Sequence, residues 1–139
     1  MICFFRRRSA EAGAIAGLLF GHVEEQLHAS GQLRGPAVPP VAMSFWLHDY
    51  MMGLITGADR AGRLRAADGR EAFVRFMKTA LHLKQASARS CYATSRSHCR
   101  SNPREAAFLR GLEDAEALLS GGAARQSLLA QFGAPQELW

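Results

Sequence analysis

Glu25 and His28 stand three residues apart, a spacing that on a helix puts a carboxylate and an imidazole on one face, as carboxylate-bridged di-iron bundles use. Those bundles need two such pairs and two further glutamates. The chain has one pair, so a solvated helix end is expected there. His48, with Met51 and Met52 one turn on, has the residue types of a haem or metal ligand inside an apolar bundle. No second ligand is recognisable, and His48 reads instead as a partly buried histidine satisfied by a backbone carbonyl or a neighbouring side chain. Cys91, His98 and Cys99 carry zinc-binding atoms, but not at zinc-finger spacing and without a fourth ligand. No metal and no cofactor are therefore expected. A Gly-x-Ser-x-Gly elbow, a phosphate-binding glycine loop and a His-Glu-x-x-His helix are all missing from the sequence, so an enzyme is not expected either.

Two patterns remain. Gly13, Gly17 and Gly21 recur every four residues with Ala10, Ala14 and Ala16 nearby. Each glycine inside a helix costs about 1 kcal/mol relative to alanine. Three in register point to a groove where another helix, of this chain or of a second copy, comes close. The second pattern is charge. Residues 1–71 hold eight basic and seven acidic residues, 72–104 hold seven basic and no acidic ones, and 105–139 hold two basic and five acidic. Within the middle block Glu71, Arg75, Lys78, His82, Gln85 and Arg89 recur at steps of four and three, one stripe of a single helix, with Phe73, Phe76, Met77 and Ala80 opposite. Arg96, Arg100 and Arg104 follow in a serine-rich stretch, Ser87 to Ser101, whose apolar periodicity has faded; it reads as a frayed helix end or a mobile loop. The face made by Arg75, Lys78, His82, Arg89, Arg96 and Arg100 suits an acidic protein or a nucleic acid. Its bland alternative is a solvated face, or one neutralised by Glu105, Glu113, Asp114 and Glu116.

The chain that must position these residues has 139 of them, enough for one domain with one core. Apolar residues make up 48% and charged residues 21%, which excludes the disordered class. Fifteen of the seventeen cations are arginine and there are 24 alanines, a bias of the kind a GC-rich genome imposes, so the abundance of arginine says little and its placement says more. Three cysteines are too few for a disulfide framework and favour a reducing, cytoplasmic setting. Arg6, Arg7 and Arg8 before the apolar run Ala12–Gly21 imitate a signal peptide, but Glu11 interrupts the approach and His22, Glu24, Glu25 and Gln26 stand where a cleavage site belongs. That run is about half of the roughly 20 residues a membrane span needs. The longer run 41–58 has His48 and Asp49 at its midpoint, where a charge in lipid is costly.

Periodicity gives helices and almost nothing that looks like a strand. A basic arm over 1–8 precedes a helix from Ser9 to about Ala29, with Ile15, Leu19, Val23 and Leu27 on its core face. A Pro/Gly loop over 31–40 follows, then a helix from about Val41 to Thr56 that is apolar around nearly its whole circumference and so should be central. The connection 57–69 includes a short helical turn near 61–67. Asp68 and Glu71 resemble a capping box for a third helix. Asn102, Pro103 and Glu105 look like the start of a fourth helix, ending at Gly121 and Gly122. A last one covers 123–132 and stops at Gly133 and Pro135. The expectation is a single all-α bundle of four to five helices that works by binding, as an accessory module for a protein partner or for itself. Nucleic-acid binding through the 75–104 stripe comes second, and a metal- or haem-binding bundle third.

Overall fold

A computed structural model describes residues 2–133, with side chains from Ala10 onward; Cys3, the side chains of Arg6–Arg8 and Ser9, and Pro135 lie outside the described side chains. The described chain is all helical: α1 (Ile2–Ala29), a short 3-10 turn (Pro40–Met43), α2 (Phe45–Arg60), α3 (Ala66–Thr79), α4 (Gln85–Ser101), α5 (Ala106–Leu119) and α6 (Ser127–Phe132). Buried apolar residues from all six helices form one cluster. Among the described residues no helix is long and apolar enough to cross a membrane.

α2 is the central element. Ser44 starts it by accepting a hydrogen bond from the Leu47 amide, which satisfies one of the free donors of the first turn. Every residue from Leu47 to Ile55 is buried. The apolar circumference does have an open end: Phe45 is 71% exposed, and Trp46 is half-buried, stacked on Tyr50 at 5.4 Å and edge-on to Phe132.

α5 packs along α2 unusually closely, and the reason is three glycines. A methyl group at Gly53 would overlap the Phe108 carbonyl and lie 2.9 Å from the Gly111 Cα, while one at Gly111 would overlap the Tyr50 carbonyl. Gly57 continues the seam against Ala115. The small-residue groove expected at Gly13, Gly17 and Gly21 is not used by the described helices, because among the described residues nothing lies within 4 Å of where their side chains would be. Helix α1 buries the other face through Ile15, Leu19, Phe20, Val23 and Leu27.

Several boundaries differ from the sequence reading. The helical backbone of α1 runs back to Ile2, through the residues read as an arm, and α2 continues four residues past Thr56 to Arg60. α3 begins at Ala66, two residues before the Asp68–Glu71 pair, and its cap position Arg65 makes no side-chain cap bond. The helix expected to run on past Arg89 breaks at Ala80–Lys84, where His82 takes a left-handed backbone (φ +59°). The serine-rich stretch is then helix α4, whose core face uses small side chains, Ala88, Cys91, Ser95 and Cys99, with Tyr92. Asn102 does not open α5. Its side-chain amide donates to the His98 carbonyl and closes α4, and Pro103 sits in the link. α6 is shorter than expected and ends at Gly133 (φ +76°), a backbone that suits glycine.

Candidate anion-binding cleft

Helices α3 and α4 form a hairpin, and their outer faces enclose a cleft of about 670 Å³ lined by Arg70 from α3 and Arg89, Arg96 and Arg100 from α4. The helical repeat explains the convergence: 89, 96 and 100 are separated by seven and four residues and share one face of α4, while 70, 74 and 78 share one face of α3. Ala66, Ala67, Ala93, Ser97 and Ser101 keep the floor shallow and supply two hydroxyls. A second groove of about 420 Å³ shares Arg70 and Arg89 and extends past Val74 to Lys78 and Gln85, and a third of about 390 Å³ shares Arg96 and Arg100 and reaches Arg60. The three run together along the hairpin.

The arginines are exposed, and none of Arg70, Arg89, Arg96 and Arg100 has an ion-pair partner among the described residues. Two of the acids that could have neutralised them are paired elsewhere and a third is buried, while Asp59 lines the third groove beside Arg60, Arg96 and Arg100 and pairs with none of them among the described residues. Glu113 pairs with Arg125 at 3.2 Å, and Glu105 lies 3.6 Å from His98. Asp114 is buried and accepts hydrogen bonds from the Tyr50 and Ser127 hydroxyls, both at 2.6 Å. Glu116 is exposed on α5 and pairs with none of the stripe. Uncompensated guanidinium groups on a concave surface raise the local positive potential and match the planar geometry of phosphate or carboxylate oxygens.

Of the six residues assigned to the basic face from sequence, Arg89, Arg96 and Arg100 line the main cleft, and Lys78 lines its extension while donating to Gln85 at 3.1 Å. Arg75 is tied to Glu71 at 2.7 Å on the outer side of that extension. His82, in the break between α3 and α4, lies off the stripe. Arg70 went unnoticed in the sequence. Its four-residue spacing to Val74 and Lys78 is the signal that could have found it, once α3 is known to end at Thr79.

Compared with protein-family models, curated proteins and solved structures, the chain matches none of them. What it does has to be read from its own side chains.

His48 is buried, and its Nε2–H donates to the Ala42 carbonyl at 2.7 Å. Burial is the main cause that holds its pKa below the usual histidine value. Glu25 and His28 are both exposed on α1, where His28 faces Glu24 at 3.8 Å rather than Glu25. Cys91 and Cys99 are free and buried, and no zinc cluster forms from them with His98. Burial and the nearby Asp49 carboxylate push the Cys99 thiol up to about 12. His98 turns instead toward Asp49, at 3.5 Å, and Glu105.

Proposed function

We propose that the protein is a binding module for the phosphate backbone of a nucleic acid, held along the α3–α4 cleft. The observation that carries this reading is the set of four arginines converging on one groove without carboxylate partners. The net charge of +5 would assist by drawing a polyanion to the surface. Tyr92 is largely buried and offers little ring for a base to stack on, which favours backbone contacts over base recognition.

The test is a titration of a labelled duplex and a labelled single strand at several salt concentrations. Binding tighter than about 1 μM near physiological salt is expected, since weaker values are ordinary for non-specific association. Replacing Arg70, Arg89, Arg96 and Arg100 together by Ala should flatten the log–log salt slope by roughly three units, at about 0.7 to 0.9 per lost phosphate contact. An unchanged slope would remove the cleft from the function. All four side chains are exposed, so the variant should fold.

A second reading, docking of a protein partner, is favoured by a separate observation. Met43, 58% exposed, and Phe45 leave two large apolar side chains uncovered where the chain enters α2. Pull-down of a partner that is lost in Phe45→Ser but kept in the arginine variant would select it.

A further inference from the structure

Asp49, His98 and Glu105 come from α2, the last turn of α4 and the residue before α5. The Asp49 side chain is only 7% exposed, and the Ser95 hydroxyl donates to its Oδ1 at 2.6 Å. That bond fixes the carboxylate and leaves Oδ2 facing His98, whose Nε2 lies 3.5 Å from it and 3.6 Å from Glu105 Oε2. All three ligand atoms lie within 4.8 Å of one another.

These distances are long for charged N–H···O bonds, which run at about 2.7–2.9 Å. The two distances from His98 match the edge of a coordination tetrahedron. With metal–ligand distances of about 2.0–2.2 Å, neighbouring ligand atoms stand about 3.3–3.6 Å apart. No arginine or lysine pairs with Asp49 or Glu105 among the described residues. With a neutral His98, a nearly buried carboxylate beside a second carboxylate lacks a compensating cation, and a divalent ion would balance both.

We propose that Asp49 Oδ2, His98 Nε2 and Glu105 Oε2 form a binding site for a first-row divalent metal ion of the zinc class. Three protein ligands leave the rest of the shell to water, and the half-exposed His98 and Glu105 give the ion a way in. One imidazole with two carboxylates selects against magnesium, which prefers oxygen donors alone, and in favour of zinc, cobalt and their neighbours. The cysteines take no part. On the helical repeat, His98 points away from the face of α4 that carries Arg89, Arg96 and Arg100, so the site is separate from the basic cleft. An ion there would tie α2 to the end of α4 and the start of α5.

The experiment is calorimetric titration of the chelator-stripped, reduced full chain with Zn²⁺, in parallel with Mg²⁺, followed by the thermal midpoint with and without Zn²⁺. One Zn²⁺ per chain and a raised midpoint are expected. His98→Ala and Glu105→Gln, both at half-exposed positions that should leave the fold intact by circular dichroism, should each weaken binding at least about tenfold. Co²⁺ reports the donor set, and its spectrum should lack the sulfur charge-transfer band of thiolate ligation. Failure of Zn²⁺ to bind below about 1 mM, wild-type affinity in both variants, a thiolate band, or binding of Mg²⁺ in preference to Zn²⁺ would each overturn the proposal.

Discussion

Replacing Gly53 by alanine should destabilise the protein, although glycine-to-alanine changes inside helices ordinarily help. The propensity gain is about 1 kcal/mol. Against it, the new methyl meets the Phe108 carbonyl, the Gly111 Cα at 2.9 Å and the Leu112 amide nitrogen at 3.0 Å. All three are backbone atoms and cannot rotate aside, so α2 and α5 have to separate. Opening a packed interface by about 0.5–1 Å forfeits a quarter to a half of each dispersion contact along it, and overpacking of this kind costs about 1–3 kcal/mol or more. A net loss of up to about 2 kcal/mol is expected. Gly17 is the control: it is exposed with nothing within 4 Å, so Gly17→Ala should gain about 0.4–1 kcal/mol. Urea denaturation followed by far-UV circular dichroism measures both, with the slope of the transition unchanged if only stability moves. A Gly53→Ala protein as stable as Gly17→Ala would refute the account of the α2–α5 seam. A Gly17→Ala protein that is destabilised, with its loss growing at higher protein concentration, would instead show that a second copy uses the row.

Trp46→Ala should cost about 2 kcal/mol, less than a fully buried tryptophan, because the ring is only partly buried, stacked on Tyr50 and edge-on to Phe132; Phe45→Ala should fall within about 0.5 kcal/mol of wild type. Tyr50→Phe removes a buried hydrogen bond to the Asp114 carboxylate and should cost about 1.5–3 kcal/mol in the same denaturation assay. At alkaline pH the Cys99 thiol of the unfolded chain releases its proton near pH 9, whereas the native thiol holds it to about 12, so the native state binds more protons and stability should fall as pH rises through that window. Cys99→Ala should flatten that part of the curve. On the acid side His48 has the opposite sign: its native pKa lies below 6.5, the unfolded imidazole takes up a proton first, and stability should fall as pH drops below about 6.5, less so in His48→Gln.

Where side-chain type alone decides the structure, the sequence was readable. The apolar circumference of α2 announced its central place, and Ile15, Leu19, Val23 and Leu27 marked the buried face of α1. Glycine spacing was less informative, because small residues every four positions signal close packing only if that face turns inward. The Gly13 row faces out, and the effective pair, Gly53 and Gly111, sits about 60 residues apart in the chain and needs the helix pairing to be known. The break after Thr79 has no glycine or proline in it, so a single helix with a single stripe was the natural expectation. α4 was hard to read for a related reason: its buried side chains are small or polar, and Ser95 earns its place by bonding Asp49. The cluster of Asp49, His98 and Glu105 joins three elements, and no local pattern could have connected them.

The α2–α5 seam also has a consequence for how the protein is made. Its two halves are separated by the whole of α3 and α4, so this close packing is non-local, and loop closure has to precede it. Folding should be slow for an all-helical chain of this size. During synthesis the apolar flank of α2 that α5 covers leaves the ribosome well before α5 does, and it stays exposed until that helix arrives. Early docking of the α3–α4 hairpin, which is local in the chain, would shield part of α2 and bring the ends of the loop together, making that hairpin a folding scaffold.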